Sequence, residues 1–262
     1  MHGTLQPMTL AKRCGVYRER AAPASLAIHV ECLWSHAIPE GPRQPMAVVP
    51  DGCADIIWSS RGLVVAGPDR VAAFPAIDPG ETVVGLRFRT GIAAAFLRAP
   101  LSGLTGTVVP LEAFWGAAAR ELHLQMVEAE SVAARTIILA QAAEQRLPMI
   151  AAPPGDIAAC LAHLRKGHPT SSDNPIRLLA QATGTSERTL RRRCHEHFGY
   201  GAKTLDRILR LQRFLSACRS NTQASLSTLA LDTGYADQAH LTRESRELTS
   251  LSPREIRHQL SS

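Results

Sequence analysis

The chain has 262 residues, 45% hydrophobic and 20% charged, enough apolar material for one or two buried cores. Its net charge of +6 sits entirely in residues 156–262, with 16 Lys and Arg against 10 Asp and Glu, whereas residues 1–155 carry 13 of each. A polyanionic partner for the second half, or a merely solvated basic face, accounts for that imbalance. No stretch reaches the roughly 18 apolar residues of a membrane helix and no signal-peptide pattern is present, so a cytoplasmic protein with no membrane association is expected.

Residues 1–16 show little pattern and are expected to be frayed. From about Tyr17 to Pro110 the reading is β-rich. Ala47–Pro50 and Ala54–Trp58 are apolar runs on either side of Asp51–Gly52, a hairpin-type turn signal. Leu63–Ala66 follows the polar turn Ser59–Gly62, and Thr82–Phe88 is a further strand. Ile92–Leu97 reads as a short helix stopped by Pro100. Pro110 precedes two Ala/Leu-rich helices, about Leu111–Gln125 and Ser131–Arg146. Pro148, Pro153, Pro154 and Gly155 break the helical run, which places a domain boundary there. Helical periodicity resumes at Ile157–Lys166, with Asp156 as a candidate cap, and again at Asn174–Pro175, where Pro opens a helix.

Residues 176–257 hold two approximate copies of a short apolar helix, a Gly-containing turn and a second helix with a polar face, the unit that places one helix in a DNA major groove. In the first copy Ile176, Leu178, Leu179 and Ala182 are the expected core of the supporting helix. Gly184 makes the turn and Ser186 caps the next helix. Leu190, Cys194 and Phe198 recur every four residues and face inward, so Arg188, Arg191, Arg192 and His195 share the outward face. Arg can chelate the O6/N7 edge of guanine; the alternative is a solvated basic face. Arg193 lies off this stripe and reads as a phosphate contact or a surface residue. In the second copy Gly234 is the turn, Asp237 the cap, and Leu241 and Leu248 the inward residues. Gln238, Ala239, Thr242 and Arg243 face outward, where Gln suits adenine, Thr a base or thymine methyl, and Arg guanine or phosphate. His240 reads as a surface residue within phosphate reach. A helix at about Ala202–Cys218 links the copies, with Leu205, Ile208, Leu209, Leu211, Leu215 and Cys218 on its apolar side and Arg207, Arg210 and Arg213 on its polar side.

The stretches LLAQATGTSERTLRRR, KTLDRILRLQRFL and LALDTGYADQAHLTRESRELTSLSPREIR resemble the DNA-binding domain of the AraC/XylS family of transcription regulators. Gly-Tyr-x-Asp-Gln-x-His-Leu followed by Leu-Ser-Pro is the most specific part. The resemblance implies two helix-turn-helix modules joined by a helix, with base-contacting positions at Arg188, Arg191 and Arg192 and at Gln238, Ala239, Thr242 and Arg243. This chain has Cys194 and Ser245 where the family usually has Phe, and Ser250 where Gly is common. Losing each Phe costs roughly 3–5 kcal/mol unless the core repacks. VVPDGCADIIW (48–58), AGPDR (66–70), GLRFRTGIAAAFLRAPLSGL (85–104) and VVPLEAFWG (108–116) resemble an N-terminal domain of one branch of AraC-type regulators. Many relatives carry a small β-barrel sensor in that position.

Asp51, Cys53 and Asp55 cluster in sequence, which raises metal or catalytic chemistry as a question. The six cysteines (Cys14, Cys32, Cys53, Cys160, Cys194, Cys218) form no C-x-x-C pair, and no His lies near Cys53 in sequence to activate it. His29, His36 and Cys32 could join it only through the fold. Trp34, Trp58 and Trp115 either line a ligand pocket or fill a core.

The expectation is an α+β two-domain chain. A β-rich regulatory or sensor domain spans 17–150, with helices at its C-terminal end, and an all-α tandem helix-turn-helix DNA-binding domain spans 156–262. The expected partner is double-stranded DNA at an operator or promoter. A small-molecule effector, RNA polymerase and a second copy of the chain are further candidates. Neither enzyme activity nor a cofactor or metal is expected. The competing readings are a DNA-repair or other enzyme using Cys53, and a non-specific DNA-binding protein.

Overall fold

The computed structural model describes residues 8–42, 45–167 and 175–261. Alternation of apolar and polar residues builds the first half. In β5 (Asp55–Ser59), Ile56 and Trp58 are buried while Asp55, Ile57 and Ser59 are only partly so; β6 (Gly62–Ala66) repeats the pattern with Leu63 and Val65. These strands join β2 (Val16–Ala21), β3 (Val30–Ala37), β7 (Thr82–Phe88) and β8 (Val108–Pro110) in a six-stranded antiparallel sheet of order β2-β3-β7-β5-β6-β8. It is an open sheet with β2 and β8 at its edges. One face carries Leu33, Ile56, Trp58, Leu63, Val65, Val84, Leu86 and Phe88 into the main core, as the period of two requires. Helices α1 (Ala93–Leu97), α2 (Glu112–Trp115), α3 (Ala117–Glu128) and α4 (Val132–Glu144) cover that face.

Trp58 and Trp115 belong to this core, whereas Trp34 stands on the opposite face of the sheet, where its ring lies over Gly85. A Cβ at Gly85 would come within 2.2 Å of the Trp34 ring, so the close approach requires glycine.

Three expectations are corrected here. Residues 8–16 are not frayed: β1 (Thr9–Leu10) pairs in parallel with β4 (Met46–Ala47), and Cys14 is buried. Residues 1–7 lie outside the described residues. Asp51–Gly52 is not a hairpin turn, because β4 pairs with β1 while β5 pairs with β6 and β7. The hairpin runs instead through Ser60–Arg61. The single helix expected at Leu111–Gln125 is two, broken at Gly116, whose φ is +54°.

The second half is helical: α5 (Gly155–Lys166), α6 (Pro175–Ala182), α7 (Glu187–Phe198), α8 (Ala202–Ser220), α9 (Leu226–Asp232), α10 (Gln238–Thr249) and α11 (Pro253–Ser261). Asp156 does not cap α5; it lies in the first turn, behind Pro154 and Gly155, and its side chain is buried. Asn174 lies outside the described residues. The 19-residue α8 is a shared spine about 28 Å long. Leu205, Ile208 and Leu209 from its first half pack with α5, α6 and α7, while Leu211, Phe214, Leu215 and Cys218 pack with α9, α10 and α11.

The two halves also touch. Leu10 packs in the cluster around α11, and Gln259 holds the chain there through its carboxamide, accepting from Leu10 N at 2.7 Å and donating to Met8 O at 2.9 Å. Gln212 Nε2 donates to Pro50 O at 2.7 Å, and Thr105 Oγ1 donates to Gly199 O at 2.8 Å.

Candidate nucleic-acid interface

The two helix pairs α6–α7 and α9–α10 are built alike. Gly184 and Gly234 take φ of +63° and +90° in the turns. Ser186 Oγ accepts from Thr189 N at 3.1 Å and Asp237 Oδ1 from His240 N at 2.6 Å, so each second helix starts on the cap its sequence called for. Ser225 caps α9 in the same way, accepting from Thr228 N at 3.1 Å. In the first supporting helix the inward residues are Ile176, Leu179 and Ala180; Leu178 and Ala182 are exposed. The error is one of phase, because the helical turn sets Ala180 beside Ile176.

On α7, Leu190, Cys194 and Phe198 are fully buried, and Arg188, Arg191, Arg192 and His195 are all exposed on the other side. Arg191 and Arg192 each meet a glutamate one turn away, Glu187 and Glu196, at 3.2 Å. Exposed pairs of this kind contribute only about 0.3–0.5 kcal/mol, so either guanidinium can leave its partner for a phosphate or a base. On α10, Leu241 and Leu248 are buried, Gln238, Ala239 and Arg243 are exposed, and Thr242 is half-buried with its hydroxyl donating to Gln238 O at 2.8 Å.

Each of these helices is pinned from behind by an ion pair that the sequence reading did not find. Arg193 is no surface residue: it reaches back to Asp156 on α5 at 2.6 Å. On α10, Glu244 takes Arg207 of α8 at 2.7 Å. Burial lowers the Arg207 pKa, but the hydrogen bonds and charges of Glu244 and Glu247 outweigh it and raise it. Arg210 is buried and pairs with Asp206 at 2.6 Å, and Arg213 donates to Leu164 O at 3.3 Å. Arg207 and Arg213 thus tie the linking helix to α10 and α5, and Arg210 reaches Glu244 of α10 at 3.9 Å besides its own-helix partner Asp206. His240 is held within the chain: its Nδ1 accepts from Ala236 N at 3.3 Å and its ring stands edge-on to Tyr235.

The two small residues found where Phe is usual are accommodated. Cys194 Sγ lies 4.0 Å from Cys160 Sγ in a fully buried contact, so α5 fills part of the volume. Ser245 is fully buried, and its hydroxyl donates to Leu251 O at 2.9 Å. Ser250 ends α10 at φ +62°, the left-handed conformation that favours glycine.

Of the residues weighed for chemistry in the first half, Asp51 and Asp55 meet on Arg87 at 3.2 and 3.1 Å, while the histidines make their contacts elsewhere. His36 bonds Cys14 O, His29 stands against Phe96, and Cys32 packs beside Trp34 and Val83. Among the described residues, no three His, Cys, Asp or Glu gather as metal ligands. Burial first, then Asp51, push the Cys53 thiol well above its ordinary pKa, the opposite of nucleophile activation.

Residues 179–259 match a family model described as a helix-turn-helix domain, and residues 18–110 match a domain of unknown function, DUF6597. No curated protein matches the chain. Among solved structures, the C-terminal domain of AraT, a response regulator from Geobacillus stearothermophilus, is 18% identical over 41% of this chain and 88% of its own, with a TM-score of 0.37. An apo single-residue variant of ToxT from Vibrio cholerae strain SCE256 is 10% identical over 92% of this chain and 100% of its own, with a TM-score of 0.49. Likenesses this distant carry no argument about ligand or mechanism.

Proposed function

We propose that this chain is a DNA-binding transcription regulator of the AraC type, as its helix-turn-helix match over residues 179–259 supports, and that it reads a specific site with both of its helix pairs, α7 and α10 entering successive major grooves. The observation that carries the reading is the exposure, on one side of each helix, of Arg188, Arg191, Arg192 and His195 and of Gln238, Ala239 and Arg243 with the half-buried Thr242 among them, each set backed by a buried apolar stripe and an ion pair. Arg and Lys contacts to phosphate supply affinity and register, and the two exposed faces supply sequence choice. Successive major grooves on one face of DNA are about 34 Å apart, a span that a rigid spine of about 28 Å with one helix packed near each end can serve.

In this reading residues 156–262 form the DNA-binding domain and residues 17–150 a regulatory domain that modulates it, in a cytoplasmic protein without enzyme activity. An operator or promoter in double-stranded DNA is the main partner; a small-molecule effector, RNA polymerase and a second copy of the chain complete the set.

Selection of bound sequences from a random duplex library by the full chain tests the reading. Two enriched blocks about one helical turn apart are expected. One block would mean that only α7 reads bases, and binding without enrichment would favour the non-specific alternative.

A further inference from the structure

The stretches 48–58, 66–70 and 85–104, which carry the recognisable sequence of the first half, each press on the second half. A Cβ on Gly52 would fall 3.0 Å from Leu205 of α8, and one on Gly91 would fall 3.0 Å from the Phe198 ring of α7. A Cβ on Gly199, just past the end of α7, would fall 2.8 Å from Pro68 and 2.6 Å from the Thr105 hydroxyl. The halves therefore meet at closures that leave no room for a side chain.

Two segments of the first half form one piece at this contact. Strands β6 and β8 pair as far as Ala66 and Val108. Beyond that point the two chain segments stay joined, Gly67 N donating to Thr107 O at 3.0 Å and Gly106 N to Pro68 O at 3.2 Å. Ala73 and Val48 exchange backbone hydrogen bonds, both at 2.9 Å, which anchors the piece at its other end. From this one piece the C-terminal ends of both DNA-facing helices are held. Thr105 Oγ1 donates to Gly199 O at 2.8 Å, and Ala72 N donates to Leu248 O in the last turn of α10 at 2.7 Å. The last carbonyls of a helix have no partner inside it, so the first half satisfies Leu248 O.

We propose that residues 66–73 and 101–107 are a positioning bridge for DNA reading, which sets the angle and phase at which α7 and α10 meet successive grooves. The assignment rests on the two-groove reading and adds the first half to the apparatus that performs it. Helix α8 carries one helix pair on its first half and the other on its second. A single rod fixes their separation along its length but leaves each pair a pivot about it. A second tie, to the ends of both readers, removes that pivot. Thr105 is then a positioning residue acting through Gly199. The consequence is selectivity for spacing: each base pair added between two blocks turns one of them by roughly 35° and moves it by about 3.4 Å. Readers held at two places tolerate little of this, and readers held at one follow it.

The test uses the full chain and duplexes that carry the two selected blocks at their selected spacing, or with base pairs added or removed between them. Thr105→Val deletes the hydroxyl bond at nearly constant volume. Gly199→Ala drives a methyl group against Thr105 and Pro68. Gly116→Ala controls for lost stability alone, since Gly116 also has a positive φ, +54°, but an added Cβ there meets nothing within 4 Å. The parent chain is expected to bind the selected spacing at least about tenfold better than one altered by about two base pairs. In Thr105→Val and Gly199→Ala that ratio is expected to narrow at least about threefold, and in Gly116→Ala to stay. An unchanged ratio in both bridge variants would overturn the assignment. So would the same narrowing in Gly116→Ala, or an equal gain in affinity at every spacing, which would make the contact a brake on binding. A parent chain that selects a single block removes the two-groove reading and the bridge with it. A parent chain that selects two blocks, with the ratio unmoved in the variants, removes the bridge alone.

Discussion

Arg193 and Asp156 are ion-paired at 2.6 Å, with the Asp156 side chain 5% exposed and the Arg193 side chain 34%. The pair locks the back of α7 onto α5, and it turns one arginine of the Arg191–Arg193 run away from any DNA-facing role. Breaking a buried pair by removing one partner costs roughly 3–5 kcal/mol. Partial exposure of Arg193 reduces the expected loss for Arg193→Ala to about 2 kcal/mol. Urea unfolding measures this directly, and an unchanged midpoint would return Arg193 to the surface.

Arg191→Ala and Arg192→Ala should behave oppositely. Both side chains are exposed and tied only to Glu187 and Glu196 on the same helix, so stability should change by less than about 0.5 kcal/mol. Affinity for a selected site should fall by about 1–3 kcal/mol, with relaxed preference at one base pair. Titration of each variant against the selected site and a scrambled one checks this, and equal losses on both would make the arginines phosphate contacts.

Ser250 closes α10 at φ +62°. A side chain in the left-handed region costs roughly 1–2 kcal/mol, partly offset by the lower unfolded-state entropy of a non-glycine residue. Ser250→Gly is therefore expected to stabilise the chain by about 0.5–1 kcal/mol. Thermal unfolding that shows a loss of stability would mean that the Ser250 side chain makes a compensating contact.

Arg87 is engaged by both Asp51 and Asp55, and burial first, then the charges of those two carboxylates, raise the pKa of Asp69. Its folded pKa, about 6, lies above the ordinary 3.8, so the native state binds the proton more tightly than the unfolded one. The sign of the linkage is then fixed: stability falls as pH rises from about 4, and the penalty is complete above about pH 6. Asp69→Asn removes that penalty, so its stability advantage over the parent chain should grow between about pH 4 and pH 6 and then level off. A difference independent of pH would contradict this.

Much of the C-terminal half could be read before folding because a 3.6-residue period sorts Leu190, Cys194 and Phe198 from Arg188, Arg191, Arg192 and His195 without tertiary information. The same period places Arg193 on the inner flank next to Leu190, a signal that its charge obscured. Its partner Asp156, like the Glu244 partner of Arg207, lies 37 residues away, and such pairings come only from packing. The sheet was harder. β2 is almost wholly exposed and lacks alternation, and β1 pairs with β4 across more than thirty residues. The Asp51–Gly52 turn reads as a hairpin because apolar runs flank it, yet the strands on its two sides pair elsewhere, β4 with β1 and β5 with β6 and β7. The compensation of Cys194 by Cys160 was invisible for the same reason.

One rigid spine holding two base-reading helices at a fixed separation is tested most directly by a spacing change in the DNA. With the selected site in hand, about five base pairs inserted between its two blocks rotate one block by about half a turn. A fixed separation predicts a loss of affinity on the order of 100-fold, as one set of base contacts is forfeited. Unchanged affinity for the lengthened site would contradict it.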